Sequence, residues 1–504
     1  MRSEREQEEQ RTTVGLHCDR HHDDVSHSLS RGSSFSGSAS SSLGDRSGFR
    51  MTGSSLQRTA LSWRCLRLGR QNRLAQVLLV AALSLTCTLS CAPDGDGERE
   101  TIRFWAMGHE GELARDLIVE FERLHPEIRV VIEQIPWSAA HEKLVTGVVG
   151  RVTPDVSQLG NTWIAEFVAL DALEPLSARV ANSQVISEDA FFPGLWDTNV
   201  IEGEPFGIPW YVDTRLLFYR TDLLASAGYD SIPDTWSEWT ASLEAMKGQL
   251  AGTGYPLFLP VNEWAPLVAF GLQNGSTLLR DHDTRGAFSE PEFRGAFAFY
   301  VGLFRDGYAP PAANNEIGNL YQEFARGYVN SFITGPWNLG ELRSRLAPEQ
   351  ADIWSTSPLP GPVAGEPGVS LAGGSSLVLF RDSEHADAAW KLIEFLADAG
   401  TQQTFYDISG DLPARVEVWE QAAFRSDPRL AAFGQQLRHV VSTPKIPEWE
   451  QIAIAVQEHA EIAVRGGGDI DSTLAQLDRR VDQILTKRRW LYEEGRLVRP
   501  KVDS

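Results

Sequence analysis

The sequence predicts an α/β fold, on three observations. Thr101-Ile102-Arg103-Phe104-Trp105 alternates in the manner of a half-buried strand. Leu113, Leu117, Ile118, Phe121 and Leu124 recur at helical spacing, with Pro126 as a stop. Ile128-Arg129-Val130-Val131-Ile132 then gives a second β-branched run. Strand, helix, strand favours a parallel sheet with helices packed on it.

The elements follow in order. A glycine turn, Gly108 to Gly111, joins the first strand to a helix over about 112–124. A second helix over about 141–149 and a strand near 155–158 continue the alternation. It resumes after Gly207, with a strand over Leu216-Leu217-Phe218-Tyr219. Thr235-Trp236-Ser237-Glu238 has Thr at the N-cap and Glu three residues later, which predicts a helix to about Met246. A strand over 329–334 runs into Gly335-Pro336-Trp337, and another over Leu377-Val378-Leu379-Phe380 follows Gly373-Gly374. Ser383 is expected to cap a helix through Leu396. From Pro428 on, the chain reads as largely helical, ending with Leu474, Leu477, Val481, Ile484 and Leu485 on one face. Gly466-Gly467-Gly468 reads as a turn between helices.

All four cysteines lie at or before Cys91. An uncharged apolar run, Leu74 to Ser90, precedes Cys91 and follows Arg58, Arg64, Arg67, Arg70 and Arg73. That pattern predicts an export signal over 51–90 ending at a lipid-attachment site, Cys91, with Met51 as the start of the signal. Thr88 stands where such sites prefer an aliphatic residue, so a simply cleaved signal is the alternative. Residues 1–50, polar and Ser/Gly-rich, read as unstructured or upstream of the true start, and residues 91–100 read as a linker. The remainder is expected in the periplasm or cell envelope, stabilised by apolar burial alone, since it has no cysteine pairs. A formal net charge of −22 argues against nucleic acid, against an anionic membrane surface and, more weakly, against an anionic ligand.

Catalytic and metal signatures are absent. There is no GxSxG, no HExxH (His141-Glu142 lacks its second histidine), no phosphate loop and no Cys/His cluster. No cofactor and no metal site are expected.

Eight segments in order carry a resemblance: TIRFWAMGHEGE (101–112), LIVEFERLHPEIRVVIEQIPW (117–137), TPDVSQLGNTWIAEFVALDALEPLS (153–177), GIPWYVDTRLLFYRTDLLASAG (207–228) with PDTWSEW (233–239), FITGPWNLGEL (332–342), LPGPVAGEPGVSLAGGSSLVLF (359–380), AAWKLIEFL (388–396) and GDLPAR (410–415). Over about residues 101–488 the chain resembles extracellular solute-binding proteins of the maltose- and multiple-sugar-binding type, the receptors of ABC importers. The resemblance implies the type II fold of periplasmic binding proteins, with two discontinuous α/β lobes, a hinge and the ligand between them. The lobes are expected at 101–210 plus 374–427 and at 211–373 plus 428–504. It also implies a non-enzymatic monomer that passes a carbohydrate to a membrane permease served by a separate ATPase subunit. A surface-tethered glycoside hydrolase and a polyamine receptor of the same fold are the alternatives.

A sugar needs aromatic planes for its C–H faces and charged or amide groups for its hydroxyls. On that chemistry the candidate ligand-binding residues are His109 and Glu110 in the first βα turn, Asn161 and Trp163, Trp210, Tyr211 and Asp213, Glu263 and Trp264, Trp337 and Asn338, Gly373 and Gly374, and Asp411. The glycines would let backbone approach a ligand. The polar loop Asn314–Glu316 is a further candidate, and Arg215 is read as a partner for a carboxylate. Trp105, Trp236, Trp239 and Trp390 are assigned to the core. Trp137, Trp196, Trp354, Trp419, Trp449 and Trp490 are read as structural.

Overall fold

The computed structural model describes residues 99–365 and 368–497. The expectations for the unstructured start (1–50), the signal (51–90), Cys91 and most of the linker (91–100) lie outside the described residues. Among the described residues no helix is long and apolar enough to cross a membrane.

The principal elements in chain order are β1 (Glu100–Met107), α1 (Glu110–Leu124), β2 (Ile128–Ile135), α2 (Trp137–Gly150), β3 (Val156–Gly160), β4 (Ile208–Asp213), β5 (Leu216–Arg220), α3 (Trp236–Leu250), α4 (Ala265–Gln273), β6 (Ser331–Thr334), α5 (Trp337–Arg345), β7 (Trp354–Ser357), β8 (Ser370–Leu371), β9 (Gly373–Leu379), α6 (Ala386–Ala397), β10 (Leu412–Pro413), α7 (Pro428–Gln436), β11 (Val440–Val441), α8 (Trp449–Gly466) and α9 (Ile470–Ile484).

Six strands form one mixed sheet in the order β10-β4-β9-β3-β1-β2. β1 pairs in parallel with β2 and β3, while β9 runs antiparallel to β3 and β4. The alternation read in β1 explains why both faces of this sheet are covered. Ile102, Phe104 and Ala106 enter one core with Phe121 of α1 and Leu392 of α6. Trp105 and Met107 point the other way, to Leu144 of α2 and to Phe167.

The second lobe is built on a three-stranded antiparallel sheet, β6-β5-β7. Its helices bury Trp239, Leu243, Phe270, Phe297, Leu474 and Leu477 in a separate core. Thr235 caps α3 as expected, its hydroxyl accepting from the Glu238 amide while the Glu238 carboxylate receives the hydroxyl proton. Ser383 does not cap α6. His385 occupies that position, and the Ser383 hydroxyl instead donates to Asp155 (2.6 Å).

The connections between lobes are short. β4 belongs to the large sheet as far as Asp213 and β5 to the small one from Leu216, so the chain crosses at Thr214 and Arg215. β8 pairs in parallel with β11, and β9 then enters the large sheet. After β10 in the large sheet, α7 packs from Pro428 onward on the small-sheet strand β7, with the Arg429 guanidinium 4.0 Å from the Trp354 ring, and the β8–β11 pair follows it. The long C-terminal helices α8 and α9 are joined through Gly467, which adopts φ +62 at the helix end, the conformation glycine takes most cheaply.

Candidate functional site

A cleft of about 520 Å³ opens where the lobes meet. Its first wall is made at the carboxyl ends of β1 to β4, the place where open α/β sheets offer ligands their loops, and at the amino ends of the antiparallel β9 and β10. β1 ends into the turn that carries Glu110, β2 into Trp137, and β3 into Gly160–Trp163. Tyr211 and Asp213 of β4, Gly373 and Gly374 of β9, and Asp411 just before β10 complete it. The second wall comes from helix starts of the other lobe: Trp264 before α4, Pro336 and Trp337 at α5, and Glu450 in the first turn of α8.

The aromatic surfaces are accessible. Trp337 is 45% exposed, and its ring folds over Gly335, where any side chain would collide with it. Trp137 is 38% exposed and stands edge-on to Trp163, ring centroids 5.9 Å apart. Trp264 rests edge-on against buried Trp449 at 5.7 Å. Gly374 has φ +131, and a Cβ there would run into the Tyr211 carbonyl, so this close backbone approach requires glycine.

The polar groups form a connected set. Tyr211 Oη donates to Glu110 (3.1 Å) and accepts from Gln158 Nε2 (2.8 Å) and Ser375 Oγ (3.0 Å). Gln158 Oε1 in turn accepts from the Met107 amide (2.7 Å), which pins the end of β1 to the site. Burial pushes the Tyr211 phenol well above its usual range, and the charges of Glu110 and Asp411 push the same way. Arg215 bonds Asp213 and lies 4.8 Å over the Trp337 ring. Burial opposes the Arg215 charge, but Asp213 and Glu263 outweigh it and raise the pKa. Thr162 donates across the floor to Glu450, linking the lobes.

Asp411 is pushed up to about 7, first by burial and then by the nearby Glu110 charge. A carboxyl raised in the folded state stabilises the fold when protonated. That contribution is complete below about pH 4 and is lost as pH rises through about 7. Asp411→Asn, which mimics the neutral acid, is therefore expected to gain about 2 kcal/mol of stability at alkaline pH and almost nothing in acid, a figure halved for partial solvent access. Denaturant melts across pH check this, and parallel wild-type and variant profiles would contradict it.

Of the predicted residues, Glu110, Asn161, Trp163, Tyr211, Asp213, Trp264, Trp337, Gly373, Gly374 and Asp411 line the cleft together. Four do not. His109 is an exposed turn residue paired with Glu112 (3.3 Å). Trp210 is 1% exposed and stacks on Phe405 in the core of the first lobe. Asn338 points back into its own lobe, donating to Thr334 (2.8 Å) and accepting from Tyr321 (2.9 Å). Glu263 lies behind the wall, where it accepts from Asn314 (2.8 Å). The loop Asn314–Glu316 is likewise spent on structure, with Glu316 paired to Arg465.

Trp137, Arg215, Thr162 and Glu450 line the cleft without having been assigned to it. Trp137 follows the end of a strand by the same rule that points to Glu110, so its signal was present. Arg215 pairs with a carboxylate as expected and faces the cleft as well. Thr162 adjoins two predicted residues, whereas nothing local marks Glu450, which is brought in from the far end of the chain.

Residues 108–403 match the family model described as "Bacterial extracellular solute-binding protein". The chain is 45% identical to the sugar-binding protein MalE of the phytopathogen Xanthomonas citri, whose structure superposes with a TM-score of 0.76 over 78% of this chain and 99% of that one. It is 23% identical to the diacetylchitobiose binding protein DasA of Streptomyces coelicolor, over 71% of this chain and 85% of that one. The GacH receptor of Streptomyces glaucescens, 21% identical, shares the fold with a TM-score of 0.67 over 77% of this chain and 99% of that one. The matched segment spans more than half of a chain whose cleft lies at the strand ends between two lobes, and the chain belongs to the bacterial extracellular solute-binding proteins.

Proposed function

We propose that this chain binds a mono-, di- or oligosaccharide between its lobes and delivers it, chemically unchanged, to the permease of an ABC importer. One observation carries the reading. Accessible indole planes from both lobes, Trp137 and Trp163 on one side and Trp264 and Trp337 on the other, face a single cleft rimmed by carboxylates. Rings of that kind cover the apolar faces of a pyranose, while the carboxylates take its hydroxyl protons. The sugar-binding Xanthomonas relative and the diacetylchitobiose-binding Streptomyces relative support it.

A ligand that touches both walls binds the closed arrangement better than an open one, so binding shifts the population toward closure, and the permease reads the closed form. Cys91 carries the lipid that holds the receptor at the membrane. The lipid is checked by the mass of the mature N-terminus, which should lose an acylated species in Cys91→Ala.

The function is tested by thermal melts against a panel of neutral saccharides, since a ligand of the native state raises its stability. At least one saccharide is expected to raise the melting temperature in a concentration-dependent way. Labelled disaccharides incubated with the protein are expected to be recovered intact. A flat panel, or cleavage of a bound disaccharide, would overturn the proposal.

A further inference from the structure

The charges lining the cleft are unevenly matched. Arg215 is the one basic side chain among the described residues that line it, and its charge is already committed. It pairs with Asp213, is drawn also by the Glu263 carboxylate behind the wall, and covers the Trp337 ring. Glu450 accepts from the Thr162 hydroxyl and Glu110 from the Tyr211 hydroxyl, neither of which carries a charge. Glu110 and Asp411 stand together. They share the first wall, and each acts on the Tyr211 phenol as a neighbouring negative charge. No basic side chain of the lining stands with them. The raised affinity of Asp411 for a proton comes first from burial, and the Glu110 charge adds to it in the sense expected for like charges without a cation between them.

Resting on the saccharide reading above, we infer that the Glu110–Asp411 pair is the charge-selecting element of the cleft: it favours saccharides bearing a protonated amine and excludes those bearing a carboxylate or phosphate. An ammonium group placed at the pair makes charge-assisted hydrogen bonds and removes a standing repulsion. An anionic ligand finds no free cation and must be desolvated beside two acids. A neutral sugar lies between these cases.

The experiment uses the β-1,4-linked disaccharides of glucosamine, glucose and glucuronate, together with the neutral panel, titrated calorimetrically into the wild type and into Glu110→Gln/Asp411→Asn at low salt. The glucosamine dimer is expected to bind ~10-fold tighter than cellobiose, and the glucuronate dimer at least ~10-fold weaker. Both gaps should close in the double variant, whose fold is checked by its unliganded melt. The inference fails if the glucuronate dimer binds as well as cellobiose, or if the order survives in the double variant. It also fails, alone, if a neutral panel sugar binds while the glucosamine dimer does not. If no saccharide of any charge binds, the saccharide reading itself fails.

Discussion

Truncating Trp210 to alanine is expected to destabilise the protein by about 3–5 kcal/mol, the range for a large aromatic removed from a packed interior. The indole is 1% exposed and lies on β4, between β9 and β10 in the large sheet. It stacks on Phe405 with centroids 4.7 Å apart and planes 19° from parallel, and it meets Phe104 edge-on at 6.0 Å. Its loss leaves a void among rings held by three different elements, and such a site collapses poorly. The indole N–H has no hydrogen-bond partner, so no polar contact is lost and the effect is one of packing. Urea denaturation of the purified variant measures it. A cost below about 1 kcal/mol would mean that the ring is not the keystone of this core. The surviving folded fraction should bind ligand normally, because Trp210 does not line the cleft.

Trp337→Ala should behave oppositely. The ring is 45% exposed, so stability changes little. Its broad face is the one large apolar plane that the α5 start offers the cleft, and its removal is expected to weaken saccharide binding by about 1–3 kcal/mol, roughly 5- to 150-fold in Kd. Part of that comes through Arg215, which loses the ring beneath it and is left less firmly placed beside Asp213. Calorimetric titration with the sugar found in the panel gives the number. An unchanged Kd would remove Trp337 from the site.

These two tryptophans also show what the sequence made legible. The α/β alternation was readable because β1 carries its period openly, with Ile102 and Phe104 on one face and Trp105 on the other. The Thr235 cap was readable for the same reason, because all of its parts lie within four residues. The Ser383 cap was misread because the hydroxyl had a better acceptor, Asp155, 228 positions away. In the cleft, strand ends and Trp-polar pairs pointed to most of the lining. The burial of Trp210 is legible in the strand period. Neighbours on a strand face opposite ways, so Tyr211 at the cleft leaves Trp210 to the core. Asn338 was misplaced because a helix start turns successive residues by about 100°, which sends it toward Thr334 and away from Trp337. Glu450 was invisible, since its place in the site depends on how a C-terminal helix docks across the hinge, and no local pattern records that.

Closure of the two lobes on a saccharide should change the shape of the molecule in solution. Small-angle scattering of the purified protein, with and without the sugar that stabilises it most, measures that change. A smaller radius of gyration and a shorter maximum dimension are expected on saturation, with the sugar recovered intact afterward. Superimposable profiles at saturating sugar would contradict closure.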